Sequence, residues 1–383
     1  MPTSSRRAII PEASDCVVHA VSRCVRRAWL CGRDPYDGRD YEHRRDWVRE
    51  RVRELAGVFA VEVCAYAIMS NHSHLVLWCR PSVAETWGPE EVARRWLRLF
   101  GRGGAAEKAR QEAELAADAR RVAVCRGRLG SVSWFMRCLN ERIARRANAE
   151  DGCTGRFWEG RFKCQLLEDE GAVLACMAYV DLNPVRAKLA DTLEASTFTS
   201  VHDRLAARKA RAGLEALAGG PGGGAVPAGG RAAAGRGKVE AAKGGGAAAA
   251  GPTPAGRAAL EAARAAAEAD AWLCPMADPP DDAQRATVLA VSTEGYLALV
   301  DWTGRSLARG KRGALPPELQ PVLQAMDLET ERWVETVAGY GGMFHRVAGK
   351  AESLRRKALA MGQRWLAGVR AGREVFRPAQ AVA

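Results

Sequence analysis

The sequence predicts an α+β fold, an antiparallel sheet with helices packed on it, followed by a mainly helical C-terminal region. Two patterns predict it. Stretches of β-branched or apolar residues bounded by turn residues recur at 16–24 (CVVHAVSRC), 58–68, 72–79 and 162–167. Between them lie segments whose apolar residues recur at helical spacing. The order strand, helix, strand, strand, helices, strand, helix suits an antiparallel sheet covered by helices.

Each element has its own justification. Residues 41–56 place Trp47, Val48, Val52 and Leu55 among charged neighbours, which marks an amphipathic helix. Residues 58–68 and 72–79 read as strands joined by the short MSN turn. EEVARRWLRLF at 90–100 is a second helix. The charged, Ala-rich stretch 105–121 reads as one inserted, exposed helix. Residues 131–148 form a third main helix, apolar on one side and Arg-laden on the other. After the strand at 162–167, a last helix over 170–182 stops near Asn183-Pro184, because the residue before proline avoids the helical region.

Composition divides the chain into 1–204, 205–269 and 270–383. The middle stretch, with GGPGGGAVPAGGRAAAGRGK, reads as a flexible Ala/Gly-rich linker flanked by short helices. The last region offers Trp302, Trp333 and Trp365 as core anchors. A length of 383 residues is enough for two ordinary domains. The net charge of +12 favours a polyanionic partner, of which nucleic acid is the usual one.

The 11 cysteines include no C-x-x-C pair, which argues against a zinc ribbon or a thioredoxin-like redox site. Cys64, Cys138 and Cys176 lie in apolar runs and read as small buried residues. Their usage suits a reducing compartment. With no apolar signal core at the start and no apolar run of bilayer-spanning length, the expectation is a cytoplasmic protein away from the membrane.

Three segments carry candidate chemistry. In MSNHSHLVLW, His72 and His74 stand two apart on a strand, so both imidazoles face one way and form half a metal site. The bland alternative is two surface histidines. In YVDLNPVRAKL, Tyr179 and Asn183 stand four apart, one helical turn, pairing a phenol with an amide; here the alternative is a core tyrosine and a helix stop. In GRFWEGRFKCQ, Arg156, Arg161 and Lys163 alternate with Phe157, Trp158 and Phe162. That alternation suits phosphate contact with base stacking, or a hairpin whose aromatics enter the core.

Together, His72-Ser73-His74, GRFWEGRFK and Tyr179 within AYVDLNPVRA resemble the REP-associated and related single-tyrosine transposases of the HUH superfamily, which include the insertion-sequence 200-like enzymes. HAVSRCVRRAWL resembles that family's first strand. The resemblance covers about 14–200. Ser73 replaces a bulky apolar residue and Cys24 a glycine, the stretch 87–128 is longer than in compact members, and the linker and C-terminal region lie outside it.

The resemblance implies a ferredoxin-like or RRM-like catalytic domain over 1–204. It implies that His72, His74 and Asn183 hold Mg²⁺ or Mn²⁺, and that Tyr179 attacks single-stranded, hairpin-bearing DNA to give a 5′-phosphotyrosine. Arg145, Arg146, Arg156, Arg161, Lys163, Arg186 and Lys188 are the candidates for phosphate contacts. Relatives are homodimers or monomers. Two rivals stand beside this reading: a domesticated relative that binds structured DNA or regulates transcription without cutting, and a metal-dependent hydrolase unrelated to DNA.

Overall fold

A computed structural model describes residues 9–11, 14–25, 30–34, 38–218, 254–278, 286–309 and 315–376. The elements of the first half follow in order: β1 (Cys16–Arg23), α1 (Arg44–Ala56), β2 (Val61–Ile68), β3 (His72–Cys79), α2 (Pro81–Glu85), α3 (Pro89–Phe100), α4 (Ala105–Ala116), α5 (Ala119–Leu129), α6 (Val132–Glu150), β4 (Lys163–Leu167), α7 (Glu170–Asp181) and α8 (Asn183–Arg186). Then come α9 (Ser200–Ala218), α10 (Pro254–Ala267), α11 (Thr293–Arg309), α12 (Gln320–Ala325), α13 (Trp333–Met343), β5 (Val347–Ala348), α14 (Ala351–Ala360) and α15 (Val369–Val375). Among the described residues, no helix is long and apolar enough to cross a membrane.

The α+β class holds. The sheet order is β2-β3-β1-β4-β5. Its first four strands pair antiparallel, with α1 between β1 and β2 and helices between β3 and β4, the arrangement of a split β-α-β repeat. The sheet is not purely antiparallel, because the C-terminal region adds β5 in parallel to β4. β1 is paired along both edges, and Val17, Val18, His19, Ala20 and Ser22 on its two faces are buried.

Two sequence expectations change in detail. The stretch 105–121 is two helices, not one. The Asp118 side chain accepts from the Arg121 backbone N–H at 3.0 Å and so caps a fresh helix, α5. The last helix ends at Asp181, as expected, but only Leu182 separates it from a further short helix. α8 begins at once, because proline in a first turn lacks only an N–H that would have no partner anyway. Of the three tryptophans expected in the core, Trp333 is 0% exposed and Trp302 half-buried, whereas Trp365 is 70% exposed.

The chain forms two compact units. One joins Met1–Arg204 with Ala271–Ala383, and the other is Leu205–Asp270. In the second, α10 and most of α9 are described, and Arg211 pairs with Asp270. The greater part of the expected Ala/Gly-rich linker, 219–253, lies outside the described residues.

In the first unit α1 and α6 pack together behind the sheet, where Asn140 of α6 donates to Ser22 Oγ at 2.8 Å. α7 packs on the front. It is buried without a break from Gly171 to Ala178, and a helix apolar on all sides needs cover on all sides. β2 and β3 supply one side, and α13 of the C-terminal region supplies the other.

Several bonds hold that region in place. Asp169 Oδ1 caps α7 at the Ala172 N–H, 3.0 Å away, while Oδ2 accepts from the Lys350 N–H at 2.7 Å. Gly349, at φ 157°, keeps clear of that carboxylate: a Cβ there would stand 2.7 Å from Oδ2. Gln165 Nε2 donates to the carbonyls of Phe344 and His345, each at 3.1 Å.

At Gly171 a Cβ would stand 2.6 Å from the Met326 carbonyl oxygen and 2.8 Å from Cε1 of Phe376. Gly171→Ala should therefore overpack the contact between α7 and the C-terminal region. Overpacking costs about 1–3 kcal/mol, against a helix-propensity gain of at most about 1 kcal/mol. Urea denaturation should show a net loss, and a midpoint at or above wild type would contradict this packing.

Candidate active site

Strand register assembles the site. β3 pairs with β1 so that His72 faces Arg23 and His74 faces Val21 across the ladder. Cross-strand partners share a face, so His19, Val21 and Arg23 join His72 and His74 on the front of the sheet. β4 adds Lys163 opposite Val21 and Gln165 opposite His19. The rings of His72 and His74 lie 4.8 Å apart.

α7 lies on this face and carries Tyr179 near its end. The Tyr179 ring centre is 5.8 Å from that of His74 and 6.1 Å from that of His19, edge-on to both. The helix then breaks, and α8 turns Asn183 inward until its Nδ2 is 3.2 Å from His74 Nε2. The guanidinium carbon of Arg186 sits 4.4 Å over the Tyr179 ring, and Arg186 Nη2 donates to the Ala338 carbonyl at 2.7 Å. Among the described residues the Tyr179 hydroxyl makes no hydrogen bond, and the side chain is half-buried.

His19 is the member of the site that strand patterning by itself does not single out. It is buried, its ring stacks on His74 at 5.1 Å, and its Nε2 lies 2.9 Å from His74 Nδ1. The signal was present in HAVSR, where alternation puts His19, Val21 and Arg23 on one face. The Oε1 of its neighbour Gln165 is buried and has no partner among the described residues.

Hydrogen bonding orders the protons. An amide N–H₂ only donates, so His74 Nε2 accepts from Asn183 and carries a lone pair. A neutral ring then bears its proton on Nδ1 and donates it to His19 Nε2. His72 Nδ1 lies 2.6 Å from Asn71 Oδ1, an acceptor, so it holds the proton and leaves the lone pair on Nε2.

Burial keeps all three rings neutral near pH 7. His19 is pushed down to about 4 by burial alone. His72 is pushed down to about 4 by burial, with Arg23 adding to it. His74 is pushed well below its usual value, by burial first and then by His19, His72 and Arg186. Neutral imidazole is the form that binds metal.

No three His, Cys, Asp or Glu side chains among the described residues form a metal-holding group. A cation here would need an amide as well as imidazoles. The donor set fits one: His74 Nε2 and the Asn183 amide meet at 3.2 Å. That is close to the separation of about 3 Å between adjacent ligands of an octahedral ion at 2.0–2.1 Å. The amide turns Nδ2 toward the ring; a half-turn would present Oδ1 in its place.

The candidate phosphate contacts divide by position. Arg186 touches the phenol, and Lys163 shares the histidine face. Arg145 and Arg146 belong to α6 behind the sheet, where Arg145 pairs with Glu141 at 2.6 Å and Arg146 stacks on Trp47 at 3.8 Å. Arg156, Arg161 and Lys188 are exposed. Phe157 and Phe162 enter the core, and Trp158 Nε1 donates to the Asn140 carbonyl at 2.8 Å.

No protein-family model matches the chain, and no curated protein matches it. A solved structure of a REP-associated tyrosine transposase bound to a REP hairpin is similar at 12% identity, with a TM-score of 0.30, over 54% of this chain and 86% of that one.

The histidines make stability depend on acid. His19 and His72 titrate near 4 when folded against 6.5 when free, so protonation favours unfolding. Their contribution is complete above about pH 6.5 and is lost as pH falls toward 4. Asp181, raised by burial from 3.8 to about 6, works in the opposite sense between those values. His72→Gln removes one titration and should flatten the fall in melting temperature between pH 7 and 4. Parallel profiles for variant and wild type would contradict the neutral, buried His72.

Proposed function

We propose that the chain is a DNA strand-transfer enzyme of the single-tyrosine transposase type, acting on single-stranded, hairpin-bearing DNA with Tyr179 as nucleophile. One observation carries this reading. A phenol that makes no hydrogen bond among the described residues stands beside neutral imidazoles and an amide, and two of these groups, His74 and Asn183, are 109 residues apart in sequence. The resemblance of the sequence motifs and the net charge of +12 support it.

Mg²⁺ or Mn²⁺ would be held by His72, His74 and Asn183 and would supply Lewis acidity at the scissile phosphate. The remaining work falls to side chains. Asn71 and His19 hold the two ligand imidazoles in the tautomer that bares Nε2. Arg186 brings a positive charge to the place where a phosphate must arrive, and Lys163 adds a second cation on the same face.

The chemistry balances within the substrate. Tyr179 loses its phenolic proton to solvent, and its oxygen bonds to phosphorus in line with the departing O3′. As the P–O3′ bond breaks, the 3′ oxygen takes a proton. The products are a 5′-phosphotyrosine and a free 3′-hydroxyl. One phosphodiester replaces another, so reversal with a new 3′-hydroxyl joins strands without ATP.

Incubation with end-labelled hairpin DNA and Mn²⁺ tests this directly. Wild type should give a covalent adduct that survives denaturation, and Tyr179→Phe should give none. His72→Ala with His74→Ala should lower adduct yield at least about 100-fold and remove Mn²⁺ binding by calorimetry. Tight DNA binding without any adduct would favour a non-cleaving DNA-binding protein instead. Phosphodiester cleavage that persists in Tyr179→Phe would point to a hydrolase.

A further inference from the structure

The C-terminal region reaches the phenol through α13. At Gly341 a Cβ would stand 2.7 Å from the Tyr179 hydroxyl oxygen, 3.3 Å from Cζ and 3.6 Å from Cε2. No ordinary side chain tolerates the first of these, so the backbone of α13 approaches the hydroxyl as closely as a glycine permits. The same helix sets the buried Tyr340 ring 5.4 Å from the Tyr179 ring and gives the Ala338 carbonyl to Arg186 at 2.7 Å. Three positions of one helix thus touch the nucleophile or the cation above it.

Neighbouring glycines provide a contrast. Glycine inside a helix is destabilising relative to alanine, and α13 has three, at Gly339, Gly341 and Gly342. At Gly342 a Cβ would meet nothing within 4 Å, and at Gly339 it would meet the flexible end of Met343 at 3.0 Å. Gly341 differs because its neighbour is a ring that cannot fold aside.

α13 is also firmly seated. Trp333 at its start is fully buried and donates Nε1–H to Thr303 Oγ1 at 2.8 Å. Tyr340 Oη donates to the Ala172 carbonyl at 3.5 Å. Just beyond the helix, Phe344 and His345 are bonded to Gln165, and β5 pairs with β4. A Cβ added at Gly341 would therefore displace the phenol before it displaced the helix.

We infer that α13 is the backstop of the active site: the Gly341 backbone sets the position of the Tyr179 hydroxyl, which makes Gly341 a positioning residue and the C-terminal region part of the catalytic unit. This rests on Tyr179 being the nucleophile. The role is one of aim, and an error of about 1 Å in a reacting atom costs on the order of 100-fold in rate.

The test uses the full chain with 3-fluorotyrosine in place of its 6 tyrosines, the Tyr179 resonance being assigned by its loss in Tyr179→Phe. In Gly341→Ala the ¹⁹F resonance of Tyr179 should move. Single-turnover adduct formation should fall about 10- to 100-fold, with hairpin affinity unchanged. Gly342→Ala should leave the resonance, the rate and the affinity as in wild type.

An unmoved resonance, or a rate lost only in proportion to DNA affinity, overturns the inference. If wild type forms no adduct at all, the assignment of Tyr179 as nucleophile fails, and the ¹⁹F shift still decides whether Gly341 sets the phenol. Should Gly341→Ala not fold, Tyr340→Leu takes its place with the same expected split, since it removes the packed ring without adding an atom at the hydroxyl.

Discussion

Helix α7 has no solvent side between Gly171 and Ala178, and the way it is covered fixes where Tyr179 and the side chains around it stand. Side chains such as Val173, Leu174 and Met177 contribute about 1.5–3 kcal/mol each when fully buried. That gain is available only if something covers the side of α7 turned away from the sheet. α13 covers it. At the end of α7 the buried carboxylate of Asp181 needs partners, since an unpaired buried charge is costly. It finds Tyr296 Oη at 2.5 Å, the Val201 N–H at 3.0 Å and Ser200 Oγ. These bonds hold the helix end from which Tyr179 emerges.

The same burial decides the electrostatics. An exposed imidazole is partly protonated just below neutral pH, and a protonated ring has no lone pair for a cation. Covering His19, His72 and His74 removes that competition by pushing all three downward. The chain from His19 through His74 to Asn183 then decides which nitrogen is bare. Burial, usually a penalty for a polar ring, here keeps each of the three in its neutral form. Asn71 gives the more accessible His72 the same orientation by a local bond instead.

Several points of contact between the C-terminal region and the rest of the unit use backbone groups and glycines. Asp169 divides its two oxygens between the start of α7 and the end of β5. Gln165 of β4 sits opposite His19 of β1 and also donates to the carbonyls of Phe344 and His345. Gly171, Gly341 and Gly349 each stand where a Cβ would collide with a group across this contact. Close approach of this kind transmits position well, because a packed interior resists small displacements. A shift of α13 would reach the phenol directly, and a shift of β5 would reach it through α7.

The sequence by itself determined the local elements and the identity of the chemical groups. Strand alternation placed His72 and His74 on one face, and helical spacing paired Tyr179 with Asn183, because both periods are properties of the backbone alone. Tertiary structure decided what met what. His19 needed the β1–β3 register to become the partner of His74. Asn183 needed the break between α7 and α8 to turn inward; the proline after it foretold the stop, and only the fold set the direction of the turn. LACMAYV announced a helix that is apolar all round, yet not that residues more than 150 positions later would cover it. The glycines of GYGGM look alike in sequence, and only the approach of a ring to one of them tells it apart from its neighbours. Distances between segments remote in the chain are set by packing, and no local period encodes them.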